Sequence, residues 1–325
     1  MPIIRDIIYG AAERGASAAG LCRKLGIGMA DLNNSEKRTD FETACLSWEH
    51  AVKATGDPLL GLHIGESSNP SIMGLLGYLM QNSTTLIDAF RQVCDYGRVA
   101  TNMFDYSIVE KNDRVILLYS PASTWVRLYP NGARQATDQA MAGTLNVFFL
   151  LSGRKVSPVE VEMSGPRKKD RAEYERVFRS ALRFNSQENR LIFRRDDLLA
   201  PVLNHDRSLF RVFEQLVKEK RKAGQPKTFG EEIQAVILED FKGQVPALEV
   251  LAARMNMTVR SLQRKLAAEK TTFRRISGQI RKEIASRLLS STDQKVGTVA
   301  NILGYSAPRS FRRAFKSWTG GTDEQ

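Results

Sequence analysis

Apolar residues in the last third of the chain recur at helical spacing, and they do so twice in nearly the same way. Arg260 to Leu266 reads RSLQRKL, and Arg309 to Phe315 reads RSFRRAF. In each copy the polar residues, Arg260, Gln263 and Arg264 or Arg309, Arg312 and Arg313, are spaced so that a helix gathers them on one face. Leu262 and Leu266, or Phe311 and Phe315, fall on another face and anchor the helix to a core. The repeat extends upstream, where Leu251, Ala252, Asn256 and Met257 match Val299, Ala300, Gly304 and Tyr305. In both copies an apolar helix ends at a residue able to turn left-handed, Asn256 or Gly304, and Thr258 or Ser306 is then placed to cap the next helix. Helix, tight turn and capped basic helix is the helix-turn-helix layout, whose second helix enters a major groove. Between the copies, Thr272 to Leu289 carries Phe273, Ile276, Ile280, Ile284 and Leu288 on one stripe. Such a helix spans roughly 27 Å at ~1.5 Å per residue, comparable with the ~34 Å between successive major-groove faces.

The first two thirds show other periods. Helices are predicted from about Asp40 to Ala54, with Thr39 and Asp40 as caps and Gly56–Asp57–Pro58 as the stop, and from about Leu86 to Val99, with Thr85 and Asp88 spaced as a capping box. Gly61, Gly65, Gly74 and Gly77 interrupt the apolar stretch between them, which predicts turns or close backbone packing. Period-two runs follow. Phe104 to Val109 and Arg114 to Tyr119 flank Lys111–Asn112–Asp113 as a hairpin, and Val159, Val161 and Met163 alternate with Glu160 and Glu162 as a strand with one wet face. A charged helix near Arg171–Arg179 precedes short strands at Ala181–Phe184 and Arg190–Phe193. The fold class expected is an α+β N-terminal domain followed by an all-α DNA-binding domain with two helix-turn-helix motifs joined by a linker helix. The charge run Lys218–Lys222 leads into Ala223–Gly224–Gln225–Pro226, so the domains are set at 1–222 and 228–325 with a linker at 223–227.

Charge sharpens the division. Between Gly243 and Trp318 there are fifteen Lys and Arg against four Asp and Glu, so eleven of the chain's twelve net positive charges lie in that segment. A confined positive field with arginines at helical spacing favours double-stranded DNA over a membrane surface. Cys22, Cys45 and Cys94 lie far apart without ligand spacing, and His50, His63 and His205 are isolated in the sequence, so all six read as packing or surface residues and no metal site is expected. Nucleotide-binding glycine motifs and the GxSxG, HExxH and Cys/His patterns of common enzymes are missing, which argues against catalysis and for no cofactor. Without an apolar run of ~20 residues or a signal-like N-terminus, the expected location is cytoplasmic.

These motifs resemble the AraC/XylS family of bacterial transcription regulators. The resemblance rests on the paired helix-turn-helix units, the joining helix, and NILGYSAPRSFRRAFKSWTG at Asn301–Gly320. ATGDPLLGLHIG at Ala54–Gly65, GLLGYLMQNSTTLIDAFR at Gly74–Arg91 and RFNSQENRLIF at Arg183–Phe193 are similar to the sensor half of the subgroup with the AraC-type ligand-binding-like N-terminal domain. The chain departs from the family at its end, where Gly320–Gln325 stands in place of a Pro and a Tyr-Arg pair. The resemblance implies a transcription regulator, more an activator than a repressor, that recruits RNA polymerase. It also implies a small-molecule effector or a homodimer controlled from the N-terminal half, and regulated genes of virulence, quorum sensing or catabolism.

Within that reading Arg260, Gln263, Arg264, Arg309, Arg312 and Arg313 are the expected DNA-binding residues, with Thr258 and Ser306 as helix caps near phosphate. Gln263 is the foremost candidate base reader, because an amide adds little to non-specific attraction. Lys265, Lys270, Arg274, Arg275, Arg281 and Lys282 divide evenly between phosphate contacts and solvated residues. A solvated basic face is the plain alternative for the six, and a low-specificity architectural DNA-binding protein the alternative for the whole chain. Gly74 to Tyr78 suits a close-packed helix junction better than a ligand pocket.

Overall fold

The computed structural model describes residues 2–34, 39–166, 170–223, 228–239, 241, 245–291, 296, 300 and 308–319, with no description of the side chains at 223, 238–239, 283–284, 286–291, 314 and 317–319. Internal contacts divide the chain into Met1–Gly224 and Gln225–Gln325.

The first unit opens with α1 (Pro2–Ala12), α2 (Ala18–Leu25), α3 (Phe41–Thr55), α4 (Leu60–Gly65), α5 (Leu75–Gln81) and α6 (Leu86–Ala100). The β1 (Phe104–Lys111) and β2 (Arg114–Pro121) hairpin follows, then α7 (Ser123–Leu128) and α8 (Pro130–Ser152). After β3 (Glu160–Glu162) come α9 (Arg171–Phe178), β4 (Ala181–Arg183), β5 (Asn189–Arg194), α10 (Arg195–Leu198) and α11 (Arg207–Ala223). The strands form one sheet in the order β1-β2-β5-β3-β4, antiparallel except for the β3–β4 pair. This is the α+β domain that the patterns predict.

Local chemistry sets these elements where the sequence places them. Asp40 caps α3 by accepting from the Thr43 N–H at 2.9 Å, and Gly56 ends it in a left-handed turn. Thr85 caps α6 by accepting from the Asp88 N–H, while its hydroxyl donates to the Asp88 carboxylate at 2.8 Å. Asn112 makes the hairpin turn at φ 54°, with Lys111 paired to Arg114 across it. Val115, Leu117, Tyr119, Leu191, Phe193 and Val161 alternate onto one buried sheet face, and Phe193 meets Phe148 of α8 with ring centroids 5.9 Å apart.

Of the glycines predicted as turns or close packing, Gly74 makes a turn at φ 57° and Gly61, Gly65 and Gly77 are close contacts. A Cβ on Gly61 would lie 1.9 Å from the Gln135 carbonyl oxygen of α8, and one on Gly77 would lie 1.9 Å from the Pro70 carbonyl oxygen. At Gly65 the nearest neighbour is the Ala142 Cβ at 2.7 Å. Helix α4 thus crosses α8 with its backbone against the other's, and the Gly61 N–H donates to Gln135 Oε1 at 2.7 Å. Gly74–Tyr78 is a helix junction, with Tyr78 stacked on Phe213 of α11.

Two expectations need correction. The strand at Val159–Met163 has a face only partly wet: Glu160 is partly exposed, but Glu162 is buried and paired with Arg183 and Arg190, which carry the charge to the surface. The expected charge run Lys218–Lys222 lies in the C-terminal part of α11, whose Val217 is buried among α5 and α6 residues, so the N-terminal unit ends in a long amphipathic helix. His63 is not isolated: its Nδ1 lies 2.6 Å from Asp57 Oδ2 and its Nε2 3.0 Å from Glu173 Oε1, partners that chain folding brings from distant positions.

The second unit contains α12 (Phe229–Glu239), α13 (Leu248–Arg254), α14 (Val259–Ala268), α15 (Phe273–Ser291) and α16 (Pro308–Thr319). Ile233, Ile237, Leu251, Leu262, Leu266, Ile276, Ile280 and Phe311 are among its buried apolar side chains, all but Ile233 and Ile237 at positions that the sequence marks. The readings at Ile284, Leu288, Val299, Gly304, Tyr305, Ser306 and the C-terminal Gly320–Gln325 concern side chains or residues outside the described ones.

Candidate nucleic-acid interface

The first helix-turn-helix is built by its turn. Asn256 adopts φ 52°, the Asn256 N–H donates to the Ala253 carbonyl at 3.1 Å, and the Met257 N–H donates to the Ala252 carbonyl at 2.8 Å. That pair of bonds closes α13 in a Schellman motif and reverses the chain within three residues. Thr258 then caps α14 by accepting from the Ser261 N–H at 3.2 Å. Asn tolerates the left-handed conformation and Ala does not, so Asn256→Ala should cost the unit about 1 kcal/mol while Asn256→Gly should cost nothing. Hydrogen exchange across α13 and α14 reads this out, and equal protection in the two variants would refute it.

With Leu262 and Leu266 buried, α14 turns Arg260, Gln263 and Arg264 to solvent. The second basic helix repeats this arrangement: Phe311 is buried, its ring 5.7 Å from that of Phe315, and Arg309, Arg312 and Arg313 are exposed. Helix α15 packs against α16, and its own N-terminus is capped by Thr272, which accepts from the Arg275 N–H at 3.2 Å. Its 19 residues span roughly 28 Å.

Electrostatics separates the two units. In the first, arginines are neutralised by carboxylates: Arg98 with Asp105 at 3.0 Å, Arg171 with Glu175 at 2.7 Å, and Arg176 with Glu173 at 2.7 Å. Hydrogen bonds to Glu66 and Glu173 hold the Arg176 guanidinium charged and pull the Glu173 carboxyl below its ordinary range. Among the described residues none of Arg260, Gln263, Arg264, Arg309, Arg312 and Arg313 has such a partner. Six polar side chains on two equivalent helix faces are thereby left to meet an external acceptor, and phosphates and base edges are acceptors of the right kind.

Lys265 differs from its neighbours. Its Nζ lies 4.8 Å from the centroid of the Phe229 ring, so it is engaged with α12. Sequence spacing offered no hint of this, because Phe229 lies far upstream and on another helix. Among the described residues no group of His, Cys, Asp or Glu is arranged to hold a metal ion, and no helix is long and apolar enough to cross a membrane.

Comparison with known proteins identifies the family. The description "Arabinose-binding domain of AraC transcription regulator, N-term" matches residues 15–202, more than half of the chain. The chain belongs to the AraC family of transcription regulators. A helix-turn-helix domain matches residues 251–322, covering both basic helices. The Ornithine utilization regulator of Pseudomonas aeruginosa is 28% identical over 95% of this chain and 90% of its own length. The HTH-type transcriptional regulator VqsM of the same organism is 40% identical over 26% of each chain. The crystal structure of the transcriptional regulator CdpR from Pseudomonas aeruginosa covers 93% of both chains at 22% identity, with a TM-score of 0.45. The family places an effector-binding type of domain ahead of a helix-turn-helix DNA-binding domain, in the order seen here.

Proposed function

We propose that this regulator is a sequence-specific activator whose α14 and α16 read two successive major-groove segments through Arg260, Gln263 and Arg264 and through Arg309, Arg312 and Arg313. The observation that carries this is the repeated exposed face, free of carboxylate partners among the described residues, in a segment holding almost all the net charge. Thr258, and Ser306 at the matching position of the second motif, place helix N-termini where phosphate is favoured. The bound protein recruits RNA polymerase and acts as a homodimer or under effector control through residues 1–222, joined by 223–227 to the DNA-binding domain at 228–325. A segment starting at Thr228 should therefore bind DNA by itself, with affinity falling steeply as salt rises because each neutralised phosphate releases counterions. Fluorescence anisotropy on genomic fragments checks this, and a folded segment indifferent to DNA at low salt would refute the assignment.

Likeness to the ornithine utilization relative, which spans most of the chain, supports catabolism over virulence or quorum sensing as the role of the regulated genes. For the effector we favour a cavity of about 170 Å³ between α6, β1 and α11, within the first unit. Burial pushes the Cys94 thiol up to about 12 and raises the Tyr106 phenol, so both stay uncharged, while Asp95 and Arg221 supply charges of opposite sign and Arg98 and Asp105 pair with each other. Such a lining suits a small zwitterion. Ornithine and its relatives should raise the thermal midpoint of the chain and lose that effect in Asp95→Asn; a shift that survives the substitution would place the effector elsewhere.

A further inference from the structure

The basic segment from Gly243 to Trp318 keeps only four acidic residues, and one of them, Glu269, stands directly after the last residue of α14. An exposed carboxylate there works against phosphate attraction, so a DNA-reading helix gains nothing from it electrostatically. The structure shows what it does instead. The Phe229 and Gly230 N–H groups, at the start of α12, both donate to the Glu269 carboxylate, the latter at 2.9 Å. The remaining groups of that first turn are satisfied internally, since the Glu231 N–H donates to Thr228 Oγ1 at 3.1 Å and the Thr228 N–H to Glu231 Oε2 at 3.3 Å. Lys265, one turn before Glu269, covers the Phe229 ring. Glu269 is itself fixed by the end of α14: Lys270 turns left-handed at φ 55°, its N–H donates to the Ala267 carbonyl, and the Thr271 N–H donates to the Leu266 carbonyl. That is a second Schellman motif, locking the carboxylate in register with the α12 N-terminus.

We infer that Glu269 is a positioning residue for DNA reading, which fixes the tilt of α14 by bolting its C-terminal end to α12. The inference rests on the reading face proposed above. Leu262 and Leu266 are one turn apart and set the depth and roll of a ten-residue helix, but two neighbouring anchors constrain its tilt weakly. At ~1.5 Å per residue, a tilt of about 10° pivoting at Glu269 moves Arg260 by roughly 2 Å, well beyond the ~0.5 Å that a base contact tolerates. Charge-assisted bonds to helix N-terminal N–H groups are strong enough to hold such a joint.

The test uses the full chain, a DNA site selected by the wild-type protein from a random library, and the variants Glu269→Gln and Glu269→Ala. Loss of an acid from a basic face raises affinity for every sequence, whereas loss of positioning lowers it at the selected site. Positioning predicts at least a tenfold loss at that site for Glu269→Ala, with random-sequence affinity unchanged or increased. Footprinting should then show protection missing from the half-site that is sensitive to Gln263→Ala and kept over the half-site sensitive to Arg312→Ala. Variants that bind the selected site as tightly as wild type would overturn the inference while leaving the reading face intact. Loss of both halves together with a lower thermal midpoint would also overturn it, by making Glu269 a general folding residue. A wild-type chain that selects no site would defeat the reading face itself and this inference with it.

Discussion

Gly61→Ala should unfold the N-terminal unit at temperatures where the wild-type chain is intact. The added methyl would sit 1.9 Å from the Gln135 carbonyl oxygen, a backbone atom in the middle of α8 that cannot swing away as a side-chain end would. The helices must separate by more than an ångström, which breaks the 2.7 Å bond from the Gly61 N–H to Gln135 Oε1 and the companion bond from Gln135 Nε2 to the Pro58 carbonyl. Gln135 is wholly buried, so both of its amide ends lose partners without gaining water. Overpacking alone costs about 1–3 kcal/mol, and the stranded polar groups add about 1–3 kcal/mol more. Circular dichroism melts of the full chain measure it. A Gly61→Ala midpoint within a degree or two of wild type would mean that α4 and α8 do not pack backbone to backbone.

The second large effect is expected in DNA binding. Gln263→Ala should cost on the order of 1–3 kcal/mol at the preferred site with little change in random-sequence affinity, because a bidentate amide-to-base contact discriminates at that level. Arg312 is the matching residue of the second motif, so Arg312→Ala should relax preference about one helical turn, ~10 base pairs, away. Lys282→Ala, outside both reading helices, should weaken all sequences alike if it touches phosphate. Selection of binding sites by each variant gives the readout. If both reading-helix variants lowered specific and random-sequence affinity by one common factor, the architectural binder would be the better description.

Helices whose apolar and polar faces are sharply separated were the legible part of this chain. Helix α14 declares itself through Leu262 and Leu266 against Arg260, Gln263 and Arg264, and its partner α16 does so again, so duplication supplied the functional unit as well as the secondary structure. Helix α8 gave no such signal. It is surrounded on most sides by α3, α4, α7, α9 and β2, so Gly132, Ala133, Ala136, Ala142 and Gly143 are selected for thinness and no polar stripe remains to betray the period. Glu162 looked solvated because alternation alone does not say whether longer neighbours such as Arg183 and Arg190 cover that face of the sheet. The partners of His63 and Lys265 were invisible for a different reason: Asp57 and Glu173 reach the imidazole, and Phe229 reaches the ammonium, only through tertiary folding. Glu269, one acid in a basic tract, carried a hint only in being out of place.

The central position of α8 has a consequence for how the first unit can be divided. At roughly 34 Å, its 23 residues bear on the N-terminal helices along one flank and on the sheet along another. A fragment starting at β1 would carry α8 with Gln135, Gln139 and Ala142 stripped of α1 and α4, and a fragment ending at α6 would leave Gly61 and Gly65 facing water. Helical layer and sheet are therefore not modules that recombination can exchange separately. A viable chimera inherits all of 1–224 from one parent, and novelty in signal must come from substitutions within it.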